Sequence, residues 1–131
     1  MIAFDTDLVV RLMVEDDARQ AERARRLVAE AAERDEPVFL SDIVLSELEW
    51  VLDSAYGVPR RRIFAAVGSL LTEGRFCFED PRRVNTALDL YRQGKGDLSD
   101  YLIGLQGETA GARTTYTFDR GLRGDSRFTV L

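Results

Sequence analysis

The sequence predicts a single α/β domain built on a parallel sheet of four or five short strands flanked by helices. Three observations carry this. Short apolar strand-like runs alternate with longer stretches of helical apolar spacing, and the helical stretches dominate. The chain has 131 residues, the size of one domain. Its composition is 45% apolar and 31% charged, enough to build a core without staples. No repeats, linkers or low-complexity tracts interrupt it.

The elements follow in order. Met1 to Asp5 reads as a buried opening strand, and Leu8 to Val14 as a short helix. Asp16 or Asp17 caps a second helix running to about Arg34, with Ala21, Ala24, Leu27, Val28 and Ala31 on one face and a mixture of Arg and Glu on the other. Pro37 to Leu40 is a strand. Ser41 caps a helix to about Ala55 on which Val44, Leu45, Leu48, Val51 and Leu52 are apolar. Gly57 ends it, and Pro59 opens a helix to about Thr72. Arg75 to Phe78 is a strand whose Cys77 is expected in the core. Asp80-Pro81 starts a helix to about Arg92. After the loop Gly94-Lys95-Gly96 comes a helix from Leu98 to about Ala110, then a strand from Arg113 to Phe118. Asp119 to Leu122 forms a turn, and Phe128 to Leu131 a last strand.

Composition excludes several chemistries. Histidine is absent, which removes His general bases, Ser-His-Asp triads and His-ligated zinc. Cys77 is alone, so neither a thiolate zinc site nor an internal disulfide is possible, and a reducing compartment is expected. Acids at positions 5 and 7 and no basic stretch at the N-terminus argue against a signal peptide. No run is long enough for a membrane span. A cytoplasmic location is the expectation. Oxygen ligands remain, and these suit Mg²⁺ or Mn²⁺. The net charge of −5 argues against broad coating of nucleic acid but allows a local basic patch. Every basic residue except Lys95 is arginine, which suits bidentate phosphate contacts. Gly94-Lys95-Gly96 lacks the remaining residues of a phosphate-binding loop.

The informative residues are acids. Asp5 ends the first strand, where ligand crevices of open α/β sheets form, though a strand-end Asp also caps a following helix. Asp7 either reaches a metal through water or caps the helix. Glu47 borders an apolar helical stripe, where a carboxylate must be paired, protonated or metal-bound. The bland alternative is an exposed flank residue, with Glu49 and Asp53 on the outer face. Trp50 is expected in the core or at a subunit interface. Asp97 and Asp100 resemble a capping box, and the same helix start can face an active crevice. Asp119 begins a turn, with Thr117 two residues earlier placed to orient a carboxylate or water. Unit charges about 4 Å apart interact at roughly 4 kcal/mol at an effective dielectric near 20. If the fold gathers these acids, they need cations or protons.

The order of motifs resembles PIN-domain nucleases. Ile2-Ala3-Phe4-Asp5-Thr6-Asp7-Leu8 is similar to their opening strand and Asp-Thr-Asn or Asp-Thr-Ser. Val44-Leu45-Ser46-Glu47-Leu48-Glu49-Trp50-Val51-Leu52 is similar to their second acidic helix. Asp97-Leu98-Ser99-Asp100-Tyr101-Leu102-Ile103 is similar to their third motif, and Thr117-Phe118-Asp119 to their closing Thr-x-Asp. The resemblance implies a PIN-like three-layer α/β/α fold, and its nearest subgroup is the VapC-type toxin of bacterial toxin–antitoxin pairs. It further implies a Mg²⁺- or Mn²⁺-dependent endoribonuclease in which Asp5, Glu47, Asp100 and Asp119, with Asp97, hold one or two ions, and Asp7 and Thr117 support them. A small cognate antitoxin and a homodimer are the implied partners. Arg11, Arg120 and Arg123 are candidates for RNA phosphate or antitoxin contacts, or plain surface arginines. Arg60-Arg61-Arg62 and Arg82-Arg83 open helices and read as solvated faces. Two positions depart from the family pattern. Asp7 stands where Asn or Ser is commoner, which adds negative charge and bears on metal affinity, and Tyr101 replaces a small residue, with a narrowed crevice or a reshaped substrate choice as the expected consequence.

Three rivals share parts of this pattern. Asp5-Thr6-Asp7 also resembles the opening of haloacid-dehalogenase phosphatases, but their later lysine and acidic pair are not matched. A response-regulator receiver needs a lysine after its late strand, and none follows Lys95. A non-catalytic PIN-like interaction module is the third.

Overall fold

A computed structural model describes residues 1–131. Strand β1 (Ile2–Ala3) leads into helices α1 (Thr6–Met13) and α2 (Ala18–Glu33). Strand β2 (Val38–Leu40) leads into α3 (Asp42–Ser54) and α4 (Arg60–Thr72). Strand β3 (Phe76–Phe78) is followed by α5 (Pro81–Gln93) and α6 (Leu98–Thr109), then β4 (Thr115–Thr117), a 3₁₀ turn (Arg120–Leu122) and β5 (Phe128–Val130).

Helices α1, α2, α3 and α5 start where a short polar side chain accepts from their free amides, whereas α4 opens at Pro59 with no side-chain cap. Asp17 Oδ1 accepts from Gln20 N at 3.0 Å, and Ser41 Oγ from Val44 N at 3.1 Å. Asp80 accepts from Arg82 N and Arg83 N, with Pro81 at the first helical position. Gly57 (φ 60) follows α3 in the left-handed region, which glycine adopts without cost from a Cβ.

The strands pair in parallel, in the order β1-β2-β3, with Ile2 opposite Val38 and Val38 opposite Phe76. Strands β4 and β5 form a second parallel pair, with Thr115 opposite Phe128. The expected single sheet of four or five strands is therefore a three-stranded and a two-stranded sheet. One reason is the length of β1. It holds two residues, and the amides of Ile2 and Phe4 both donate toward β2, to Pro37 O and Phe39 O. Because β1 to β3 run parallel, the residues that follow them, Asp5, Ser41-Asp42 and Glu79-Asp80, lie at one edge of the sheet.

The core runs through all six helices. Leu45, Leu48 and Leu52 of α3 meet Val38 and Leu40 of β2, Val9 and Val10 of α1, and Leu98 and Leu102 of α6 in one buried cluster. Helix α6 approaches the second sheet through glycines. A Cβ on Gly104 would lie 2.7 Å from the Phe128 ring, and one on Gly107 would lie 2.9 Å from Thr115 Oγ1. Two side chains are less buried than expected. Leu27 is 41% exposed, because the buried stripe of α2 is Ala21, Ala24, Val28 and Ala31 and position 27 falls at its margin. Cys77 is half-buried on β3, with Sγ 3.5 Å from Met1 Sδ, because alternate strand residues face opposite ways and Phe76 takes the buried side. No helix is long and apolar enough to cross a membrane.

Candidate functional site

The first group of acids forms where β1 ends. Asp5 is exposed at the N-cap of α1, and its Oδ1 faces Leu8 N at 3.4 Å, a long capping contact. Thr6 follows it into a buried position and donates from Oγ1 to Glu47 Oε2 at 2.6 Å. That bond ties the acid of α3 to the residue beside Asp5. Glu47 itself is exposed, with buried Leu45 and Leu48 nearby. Asp7 is exposed in the first turn of α1, where the helix dipole favours its charge.

The second group forms around the start of α6. Asp97 is the N-cap, and its N–H donates to Asp100 Oδ2 at 2.8 Å, one arm of the expected capping box. Burial pushes the Asp100 carboxyl above the usual range, the bond from Asp97 N pulls it back, and the charges of Asp97 and Asp119 push it up again. Asp119 therefore shares an electrostatic neighbourhood with α6 although β4 separates them in the chain. Its own carboxylate accepts from Gly121 N at 2.8 Å, and its N–H donates to Thr117 Oγ1 at 3.0 Å. Thr117 thus orients the backbone of Asp119.

Glu49 does not lie on the outer face expected for it. Glu49 is 4% exposed, and its Oε1 accepts from Leu98 N at 2.7 Å. Burial raises its carboxyl, the bond from Leu98 N lowers it, and the charges of Asp97 and Asp53 raise it again. The signal was in the spacing: positions 45, 49 and 52 share one helical face, and both leucines are buried. Trp50, expected in the core or at an interface, is 67% exposed on the opposite stripe with Ile43, so the core reading fails.

No three carboxylates stand close enough together to share an ion. The acids fall instead into the two groups described, joined through α3, which carries Glu47 toward α1 and Glu49 toward α6. The donor chemistry does fit a hard divalent cation. Every candidate ligand is a carboxylate oxygen. The like charges that raise Asp100 are of the kind a cation offsets.

The arginines separate by role. Arg11 lines a groove of about 320 Å³ with Asp5, Asp7, Leu8, Gln20, Arg23 and Leu27. Its Nε donates to Gln20 at 2.6 Å and its Nη1 to Asp16 at 2.9 Å, so it braces α1 against α2. Arg120 and Arg123 are exposed beside Asp119. Arg83 is not a solvated helix opener. Its Nε donates to buried Asp42 at 2.7 Å, because Asp42 begins α3 at the strand edge where α5 also begins. Gln106 shares the same carboxylate oxygen at 2.8 Å. Arg60 is likewise engaged with backbone rather than solvent. Tyr101 points inward, 4% exposed, and accepts from Gly96 N at 3.0 Å, so it braces the loop instead of narrowing a crevice.

The family model of the PIN domain matches residues 2–124 of the chain. No curated protein matches it.

Proposed function

This chain belongs to the PIN-domain family, and we propose that it is a Mg²⁺- or Mn²⁺-dependent endoribonuclease, the toxin of a VapC-type toxin–antitoxin pair. PIN domains are generally nucleases. One observation carries the finer reading: Thr6, the residue after Asp5, donates from Oγ1 to Glu47 Oε2 at 2.6 Å, so the fold brings the acid of α3 to the end of β1 where Asp5 stands.

The residues that would hold one or two ions are Asp5 and Glu47 in the first group and Asp100 and Asp119, with Asp97, in the second. A divalent cation supplies charge neutralisation at a phosphodiester and a lowered pKa for attacking water. The chain's own groups do the rest. Thr6 Oγ1 fixes one oxygen of Glu47, Thr117 fixes the backbone of Asp119, and the amide of Asp97 fixes Asp100. Exposed Arg120 and Arg123 suit phosphate oxygens of RNA next to Asp119. Exposed Ile43 and Trp50, seven positions apart on one face of α3, support docking of a protein partner, either a second copy or the antitoxin.

A second reading, a non-catalytic PIN-like module, is favoured by the absence of any three acids close enough to share an ion. Incubation of the purified protein with structured RNA and Mn²⁺ separates the two. Cleavage is expected, abolished by chelator and reduced about 100-fold or more in Asp5→Asn and Asp119→Asn. Cleavage that ignores chelator, or survives both substitutions, defeats the metal-nuclease reading. Intact protein that neither cleaves RNA nor binds Mn²⁺ supports the interaction module. Release of phosphate from small phosphomonoesters instead would favour the phosphatase alternative.

A further inference from the structure

The loop between α5 and α6 carries Asp97 and leads directly into Asp100. Its backbone is held by side chains from three helices. Arg60, the first residue of α4, reaches both the loop and the last turn of α5 before it. Its Nε and Nη2 donate to Tyr91 O at 3.0 and 2.6 Å, and Nη2 also reaches Gly94 O at 3.3 Å and Gly96 O. The guanidinium lies 3.9 Å from the centre of the Tyr91 ring. Arg61 and Arg62 beside it are exposed.

The arrangement has a clear physical basis. The last carbonyls of α5 have no partner within the helix, and a cation there offsets the helix dipole. A planar guanidinium presents its donors as a rigid, pre-organised fork spread over three nitrogens, whereas an ammonium offers three donors from one atom at the end of a flexible stem. The remaining loop groups are anchored as well. Gly96 N donates to Tyr101 Oη at 3.0 Å, Asp97 N to Asp100 at 2.8 Å and Leu98 N to Glu49 at 2.7 Å. The two glycines allow the close approach. A Cβ at Gly94 would fall 1.9 Å from Tyr101 Oη, and one at Gly96 would fall 2.6 Å from Leu122 Cδ2.

We propose that Arg60 is a positioning residue for the nuclease site: by binding the Tyr91 carbonyl in the last turn of α5 and the Gly94 and Gly96 carbonyls of the loop that follows, it fixes the direction in which Asp97 and Asp100 present their carboxylates. The functional half of this inference rests on the metal-nuclease reading above. Arg60 touches neither substrate nor ion and acts through the loop.

The test uses the full chain with Arg60→Ala, Arg60→Lys and the exposed control Arg61→Ala. Amide exchange at Gly96 and Leu98, Mn²⁺ affinity by calorimetry, and kcat and KM on RNA are measured for each. In Arg60→Ala, exchange at both amides is expected to rise about tenfold, and Mn²⁺ affinity to weaken by about tenfold, as when other groups that orient metal ligands are removed. The loss in kcat should exceed the change in KM. Arg60→Lys, which keeps the charge but not the fork, is expected to follow Arg60→Ala and serves alone if the alanine variant does not fold. Arg61→Ala should match wild type. Unchanged exchange, or loosened amides with wild-type Mn²⁺ affinity, overturns the proposal, as does full function in Arg60→Lys. Wild-type protein that neither binds Mn²⁺ nor cleaves RNA indicts the nuclease reading instead. In that event the loop-holding role is decided by exchange alone, standing if it rises and falling if it does not.

Discussion

Glu47 and Glu49 lie two positions apart on one helix and have opposite surroundings. Glu47 is exposed and held by Thr6, whereas Glu49 is buried against the first amide of α6. Removing an acceptor from a buried amide costs about 1–3 kcal/mol. Glu49→Ala should therefore lower stability by about that much, and Glu49→Gln, which keeps an oxygen at the same place, should stay near wild type. The midpoint of urea unfolding checks both, and equal losses would mean that the negative charge, rather than the acceptor oxygen, is what Leu98 needs. Tyr91 offers a pH test. Burial pushes its phenol up to about 12, with the Arg60 guanidinium pulling the other way. A group raised in the folded state stabilises below its unfolded pKa, about 10 for tyrosine. This contribution is lost as pH climbs from there through the folded value. Melting temperatures from about pH 9 to 12 should fall more steeply in wild type than in Tyr91→Phe. Parallel curves would show that Tyr91 titrates no differently in the fold.

At the scale of elements, the starts and ends of helices were legible because they depend on neighbours in the chain. Asp17, Ser41 and Asp80-Pro81 act as caps where the sequence puts them. Helical glycines were not legible, because their meaning depends on what lies opposite. Replacing a glycine inside a helix by alanine ordinarily stabilises by up to about 1 kcal/mol. At Gly68 of α4 the new Cβ would meet Leu88 at 3.7 Å, an ordinary contact, so Gly68→Ala should gain stability. At Gly104 of α6 it would meet the Phe128 ring at 2.7 Å, so Gly104→Ala should lose it, by about 1–3 kcal/mol for an overpacked site. Thermal melts of the two variants should shift in opposite directions. A gain at both would show that β5 retreats from α6 at little cost.

On the scale of the whole molecule, the acids matter through their sum. The chain carries a net charge of −5, and near the start of α6 burial, followed by the charges of Asp97 and Asp119, pushes the Asp100 carboxyl up. A ligand that binds only the folded state stabilises it by about 2.7 kcal/mol at a hundred times its dissociation constant. Mn²⁺ or Mg²⁺ should accordingly raise the melting temperature, and the shift should shrink in Asp119→Asn. Asp5→Asn should leave the metal-free protein near wild type, since asparagine caps as well as aspartate and the Leu8 contact is long. An unchanged melting temperature at millimolar Mn²⁺ would remove the cation from the account.

The sequence by itself determined the α/β alternation, the helix boundaries and the oxygen-only donor set, since periodicity, capping and composition are local properties of the chain. Tertiary structure alone decided that Glu49 is buried, that Arg60 and Arg83 turn inward, and that the strands divide into two sheets. It also decided that the acids form two groups rather than one shell. Those outcomes depend on which surfaces meet after the chain has folded back on itself. An arginine or glutamate changes from solvated to essential when an unpaired carbonyl or amide from a distant segment arrives beside it.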